Sequence, residues 1–76
     1  MLAPGRIVSD PNVCAGKPTI RGTRIMVRNV LSMLRGGYDI ERVLLAYPEL
    51  TREDVEACLD LATELIEETR VYPHTA

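Results

Sequence analysis

The chain has very few aromatic side chains. It contains no Trp, no Phe and three Tyr among its 76 residues, so its core must be aliphatic. A domain of this length buries only roughly 60% of the surface of its unfolded chain and is marginally stable alone. The sequence therefore predicts a single domain over residues 1–76 that gains further burial by association. A homodimer is the expected state.

Histidine and cysteine are also scarce. The one histidine, His74, lies in the last few residues, and Cys14 and Cys58 stand far apart. No Ser–His or Cys–His nucleophile pair is available, and the two thiols have the spacing of neither a zinc site nor a disulfide framework. We therefore expect no enzymatic activity, catalytic residue, metal, cofactor or small-molecule substrate.

Long apolar runs are absent as well. No run approaches the ~20 residues needed to cross a bilayer. Residues 1–5 lack the basic and apolar regions of a secretory signal. These features predict a cytoplasmic protein with reduced thiols and no membrane partner.

The net charge of −2 conceals an asymmetry along the chain. Residues 1–46 hold seven basic and three acidic residues, a net charge of +4, whereas residues 47–76 hold two basic and eight acidic residues, a net charge of −6. This asymmetry favours nucleic acid as a partner of the first half and a basic partner for the second. Solvated acidic helix faces without any partner are the alternative for the second half.

The basic residues concentrate in a segment rich in turn-forming residues. Residues 16–24 hold Lys17, Arg21 and Arg24 together with two glycines and one proline. Glycine permits positive φ and proline fixes φ, so the cations project from a restrained backbone. With Arg28 they are the predicted nucleic-acid-binding residues, and we expect all four to be exposed and close together. The alternative is a solvated hairpin whose cations only keep it soluble.

Apolar periodicity predicts a mainly α domain of three helices, of helix-turn-helix type, with a short N-terminal β-arm or hairpin. Asp39 is expected to cap the second helix, Thr51 and Asp54 to form a capping box for the third, and two adjacent glycines to end the first. The predicted segments are a loose arm 1–6, a β-arm with the basic turn 7–25, helices 27–36, 39–46 and 51–69, and a frayed tail 70–76.

The third predicted helix has an apolar arc of ~160°, wider than one packing face requires. Val55, Leu59, Ala62 and Ile66 are expected to face the other helices, with Cys58, Leu61 and Leu65 left partly exposed on the flank. Glu56, Asp60, Glu64 and Glu67 form a polar stripe. Because an exposed apolar flank marks an interface, the predicted partner-binding residues are Cys58, Asp60, Leu61, Glu64 and Leu65. The alternative is that the β-arm folds back over this flank.

The start of the third helix is unsuited to reading DNA. Residues 51–54 are Thr-Arg-Glu-Asp, and their carboxylates would repel phosphates where a recognition helix carries Arg, Lys, Asn or Gln. Any DNA contact is therefore expected from the basic segment and the wet face of the first helix.

A longer pattern resembles the domain of unknown function 433 family. It runs from Ile7 and Asp10-Pro11 through the specific string Gly16-Lys17-Pro18-Thr19-Ile20-Arg21-Gly22-Thr23-Arg24 to Tyr47-Pro48 and Asp54-Val55, and covers about residues 6–66. The chain departs from the family at Met26, where Pro is usual, and at Ala15, where Gly is common. We expect Ala15 to disfavour a turn with positive φ.

The resemblance implies a homeodomain-like helix-turn-helix fold and a role like that of VapB-type antitoxins, which are encoded beside PIN-like ribonuclease toxins. Such a protein binds its own operator DNA with one part and masks the toxin with another. The basic and acidic halves of the chain suit these two tasks. The alternative is a non-catalytic homodimeric adaptor that does not bind DNA.

Overall fold

The computed structural model describes residues 5–68 and confirms the mainly α fold class. Two short strands, β1 (Ile7–Val8) and β2 (Thr19–Ile20), precede three helices, α1 (Val27–Arg35), α2 (Ile40–Ala46) and α3 (Arg52–Glu68). The predicted tail 70–76 and the last predicted helical residue lie outside the described residues. No helix among residues 5–68 combines the length and apolarity needed to cross a membrane.

The hairpin is held together around Thr19. Strands β1 and β2 are antiparallel, with Ile7 opposite Ile20 and Val8 opposite Thr19. Thr19 also forms an antiparallel bridge with Met26 on its other side, and it is 1% exposed. Arg6, directly before β1, continues the pairing, because its carbonyl accepts a 2.8 Å hydrogen bond from the Arg21 N–H. Arg6, the last residue of the predicted loose arm, is therefore held by the hairpin, whereas residues 1–4 of that arm lie outside the described residues.

Helix α1 is fastened at both ends by backbone hydrogen bonds. The Val27 N–H donates to the Pro18 carbonyl at 3.0 Å, which ties the first turn to the hairpin. At the other end Gly37 has φ of +102°, and the N–H groups of Gly37 and Tyr38 donate to the carbonyls of Leu34 and Met33. This is a Schellman motif, in which a left-handed glycine satisfies the last carbonyls of a helix.

The predicted caps of α2 and α3 are confirmed. The Asp39 carboxylate accepts from the Arg42 N–H at 2.9 Å at the start of α2. Before α3 the Thr51 N–H donates to Asp54 Oδ2 at 2.9 Å, and the Asp54 N–H donates to Thr51 Oγ1 at 3.2 Å. The two side chains thus satisfy each other's backbone donors, which is the geometry of a capping box.

The core lies between the N-terminal half of α3 and the other two helices. Its centre is aliphatic, with Val30, Val43 and Val55 fully buried, and Ile20 from the hairpin is 2% exposed. Cys58 joins this centre at 0% exposure. Aliphatic residues therefore fill the core, as the lack of Trp and Phe requires.

The inward face of α3 differs from the predicted one. The prediction that Cys58 lies on a partly exposed flank is wrong, since it is completely buried, whereas Leu59 and Ile66 are 40% and 68% exposed instead of facing the other helices. The face of α3 that points inward includes Asp54, which meets Arg6, and β1 packs against the same helix.

Helix α3 is much longer than the helices against which it packs. Its 17 residues span about 25 Å, whereas the 9 residues of α1 and the 7 of α2 span about 13 and 10 Å. Every fully buried residue of α3 lies between positions 54 and 58. We call residues 59–68, the C-terminal half of α3, the overhang, because none of them is buried, although Leu61 still packs against the core.

Candidate interaction surface

An apolar groove of about 400 Å³ runs between the overhang of α3 and the start of α1. Along α3 it is lined by Leu61, Ala62, Leu65 and Ile66, and on the opposite side by Lys17, Pro18, Val27, Arg28 and Leu31. Leu65 and Ile66 are 52% and 68% exposed, values that are high for adjacent apolar residues on one helix. Exposed apolar surface bordered by charge is typical of a protein–protein contact.

Two of the four predicted nucleic-acid-binding residues stand at this groove. Lys17 and Arg28 line its α1 side, while Arg24 lines a separate concavity that also includes Asp10. The Arg21 guanidinium lies over Gly5, with Nη2 3.6 Å from the position that a Cβ on Gly5 would occupy. All four are exposed, as expected, but the structure does not bring them to one cavity.

The cations of the basic segment form no ion pair with any residue among positions 5–68. The salt bridges in this part of the chain join Arg6 to Asp54 and Arg52 to Glu56. Asp10, the carboxylate nearest in sequence to Arg21 and Arg24, accepts the Asn12 N–H at 2.9 Å. The guanidinium groups of Arg21 and Arg24 thus remain available to an external anion.

A tight turn sets the direction of Arg21 and Arg24. The Thr23 N–H donates to the Ile20 carbonyl at 3.0 Å, and Gly22 at the third position of the turn has φ of +79°. Positive φ at this position suits glycine and defines a type II turn. The Thr23 hydroxyl also donates to the Ile20 carbonyl and accepts the Ile25 N–H, so the chain after the turn is held too.

The turn before β2 is left-handed over three successive residues. Cys14, Ala15 and Gly16 have φ of 51°, 57° and 82°. The Gly16 and Lys17 N–H groups donate to the carbonyls of Val13 and Cys14, which closes one left-handed helical turn. The expectation that Ala15 disfavours a turn with positive φ is therefore wrong, because Ala15 itself has φ of 57°. Alanine adopts it here at a cost of roughly 1–2 kcal/mol, because the flanking hydrogen bonds hold the turn.

Three acidic residues of the overhang lie on the side away from the groove. Asp60, Glu64 and Glu67 line one shallow concavity together with Thr63. Of the predicted partner-binding residues, Asp60 and Glu64 therefore share this acidic face, and Leu61 and Leu65 share the groove. Cys58 belongs to neither surface because it is buried in the core.

A buried carboxylate joins the start of the described chain to α3. Arg6 Nη1 donates to Asp54 Oδ1 at 3.0 Å, while Oδ2 accepts the Thr51 N–H. Burial alone would raise the pKa of Asp54, but the hydrogen bonds from the Thr51 backbone and from Arg6 more than offset it, so the pKa lies below its ordinary value. Sequence reasoning identified the cap but missed Arg6, which lies 48 residues away.

The two cysteines have different environments. Burial raises the pKa of the Cys58 thiol to about 11, and the charge of Asp54 adds to the effect. A thiol with this pKa is protonated and unreactive at neutral pH. Cys14 is half-buried, and its thiol donates to the Arg24 carbonyl at 3.5 Å. Among residues 5–68 no group of three or more His, Cys, Asp or Glu side chains is arranged to hold a metal ion.

Comparisons with known proteins place the chain in a family. The model of the family described as "Protein of unknown function (DUF433)" matches residues 7–62. The uncharacterized protein y4eO of Sinorhizobium fredii (strain NBRC 101917 / NGR234) is 37% identical over 49 residues, which are 64% of this chain and 22% of y4eO.

A solved structure is similar throughout the fold. The crystal structure of a DUF433 member protein from Anabaena variabilis ATCC 29413 superposes with a TM-score of 0.77 at 32% identity, covering 86% of this chain and 64% of that protein. The chain spans less than a quarter of the length of y4eO and under two thirds of the Anabaena protein. The match to the family model covers most of the chain, which therefore belongs to the DUF433 family.

Proposed function

We propose that this DUF433 protein is the antitoxin of a type II toxin–antitoxin pair, acting in the cytoplasm. In this proposal it masks a PIN-like ribonuclease toxin and binds its own operator DNA. The observation that supports masking most directly is the acidic face of the α3 overhang, formed by Asp60, Glu64 and Glu67. This face packs against no other helix of the described chain, and it borders an apolar surface on the same helix.

The charge of the overhang favours a basic partner. The last turn of α3 contains Glu67 and Glu68 and no basic residue. Carboxylates four residues apart on a helix, such as Asp60 and Glu64 or Glu64 and Glu68, repel one another. A cationic partner surface would relieve this repulsion. The nucleic-acid channel of a ribonuclease is such a surface, and opposite charge would accelerate the encounter.

The basic segment supplies the DNA-binding part of the proposal. Arg21 and Arg24 are exposed and form no ion pair within residues 5–68. Arg21 lies within the type II turn of residues 20–23, and Arg24 comes directly after it. Cations restrained in this way lose little backbone entropy when they contact phosphates. The first turn of α3 is unsuited to the same task, since it holds Glu53 and Asp54.

A homodimeric adaptor without DNA binding is the second candidate. The groove favours it, because Leu61, Leu65 and Ile66 offer an apolar contact that requires no nucleic acid. The two candidates differ in whether a nuclease binds and whether DNA binds. An adaptor predicts neither, so both measurements discriminate between them.

Masking is tested with the product of the adjacent gene. The two proteins are co-expressed and purified, and the ribonuclease activity of the complex is compared with that of the nuclease alone. Asp60→Lys combined with Glu64→Lys should slow association and release the nuclease activity while leaving the fold intact. The matched control is Glu49→Lys with Glu53→Lys, which changes the net charge equally at exposed positions outside the acidic face.

Two results would contradict the proposal. The first is the absence of any copurifying nuclease. The second is a reversed acidic face that still neutralises the nuclease at unchanged rate and stoichiometry. If both double variants neutralise equally well, the acidic face is only solvated surface.

A further inference from the structure

We infer that the groove between α1 and α3 receives the α3 overhang of a second copy of this chain. Each copy then contributes both the groove and its occupant, and the contact is two-fold symmetric. In this arrangement Arg28 of one copy meets Glu68 of the other, and Lys17 lies beside the same groove. The inference does not depend on nuclease masking, because it concerns the apolar side of the overhang and not its acidic face.

The shape of the groove fits a helix. Its walls are almost wholly apolar, and it is open to solvent along one side. Val27 and Leu31 on α1 stand four residues apart, as do Leu61 and Leu65 on α3. Side chains at this spacing form ridges along a helix, and ridges of a third helix fit the depression between two others.

Charge identifies which helix fits. Lys17 and Arg28 border the groove and have no acidic partner among residues 5–68. A complementary occupant must therefore carry carboxylates beside an apolar stripe. The overhang does so, because Glu68 lies three residues beyond Leu65, a leucine of the groove, and therefore borders the same stripe.

The chain's own C-terminal residues fit the groove less well. Residues 69–76 contain Arg70 and His74 and neither Asp nor Glu. Placed in the groove, they would bring a positive charge toward two cations. A second copy brings negative charge instead, so electrostatic complementarity favours the dimer.

Two-fold symmetry doubles the effect of each contact. In an isologous interface, a pair formed between Arg28 of one copy and Glu68 of the other is formed again by symmetry. Residues 61–68 of the overhang span about 12 Å. So short a contact buries less surface than the roughly 1,200–2,000 Å² that a stable interface buries. We therefore expect a dissociation constant in the micromolar range.

A charge exchange tests the contact. The oligomeric state of the full chain is measured by sedimentation equilibrium from about 1 to 500 μM. Arg28→Glu alone and Glu68→Lys alone should each weaken dimerisation, because each places like charges opposite one another at both symmetry-related positions. An equimolar mixture of the two variants should dimerise again, because opposite charges then meet at both positions.

Apolar variants locate the interface. Ile66→Glu should raise the dissociation constant about tenfold or more, since it carries a charge into the groove. Leu45→Glu is the matched control: Leu45 is 80% exposed on α2, outside the groove, so dimerisation should be unchanged. Circular dichroism verifies that each variant is folded.

Three outcomes would overturn the inference. One is a chain that remains monomeric at about 500 μM, and another is a mixture that dimerises no better than its components. The third is tighter dimerisation of the full chain after Val71→Glu with Tyr72→Glu, which would indicate that the C-terminal residues occupy the groove. None of these outcomes affects the proposal that the acidic face binds a nuclease.

Discussion

Replacing Asp54 by Asn should destabilise the domain without altering its shape. The carboxylate accepts from two separate donors, the Arg6 guanidinium at 3.0 Å and the Thr51 N–H at 2.9 Å. An amide of the same size has a single acceptor oxygen, so its NH₂ group must face one of these donors. The substitution also removes the negative charge from the first turn of α3, where the helix dipole favours it.

The expected loss follows from these contacts. Losing the side-chain cap costs about 1 kcal/mol. The pair with Arg6 contributes about 0.5 kcal/mol, discounted because the Arg6 side chain is 41% exposed to solvent. The charge at the helix start contributes about 0.5 kcal/mol more. The sum is about 2 kcal/mol, a large fraction of the roughly 4–11 kcal/mol expected for 76 residues.

Urea unfolding followed by circular dichroism measures this loss. With an m-value of about 1 kcal/mol per molar urea, the midpoint should fall by about 2 M. Arg6→Ala and the Arg6→Ala/Asp54→Asn double variant complete a cycle that isolates the ion pair, whose coupling should be about 0.5 kcal/mol. A midpoint shift of the single variant below about 0.5 M would refute the assigned role of Asp54.

The pH dependence provides a second test of Asp54. Its pKa is lowered in the folded state, so its contribution is fully present above the ordinary value of 3.8 and is lost as the pH falls through the folded pKa. The stability difference between the unmodified chain and Asp54→Asn should therefore shrink below about pH 4. A difference that stays constant down to pH 2 would contradict this assignment.

Four other predictions concern the left-handed turn, the thiols and the basic segment. Ala15→Gly should stabilise the domain by about 0.5–1 kcal/mol in urea unfolding, because it relieves a left-handed alanine; a loss of stability would contradict this. In the native protein at pH 8, iodoacetamide should modify Cys14 and spare Cys58, which mass spectrometry measures as one adduct per chain. Rapid addition of a second adduct would be inconsistent with the burial of Cys58. Because the pKa of Cys58 is raised to about 11 from 9.0, its contribution to stability is present below pH 9 and should be lost as the pH rises through 11. Arg21→Ala and Arg24→Ala should each flatten the salt dependence of operator binding by about one unit of slope, and unchanged affinity and slope would exclude them from the DNA contact.

The parts of the fold that depend on local sequence were predictable. Asp39 and the pair Thr51 and Asp54 cap their helices as expected, because a capping side chain reaches only two or three residues along the chain. The two adjacent glycines also end α1 as expected, since a left-handed C-terminal residue requires little beyond glycine itself.

The parts that depend on distant contacts were not predictable. The orientation of α3 that buries Cys58 and leaves Ile66 exposed also places Asp54 against Arg6, a contact across 48 positions of sequence. The left-handed alanine at position 15 goes against local preference and is held by its neighbours. The basic and acidic residues were identified from composition, but which of them line a groove, a separate concavity or an acidic face depends on how the hairpin and the helices are arranged in space.

Because α3 is longer than the helices that it packs against, its two halves should differ in how well their backbone amides are protected from hydrogen exchange. Amides near Val55 and Cys58 lie in the core and should exchange with deuterium only when the whole domain unfolds. Amides from position 61 onward should exchange through fraying, at a rate that domain stability does not govern. A partner that binds the overhang, whether a nuclease or a second copy, would slow exchange in that half alone. The exchange rate of the overhang amides relative to that of the core amides of the same helix therefore reports whether a partner occupies the overhang.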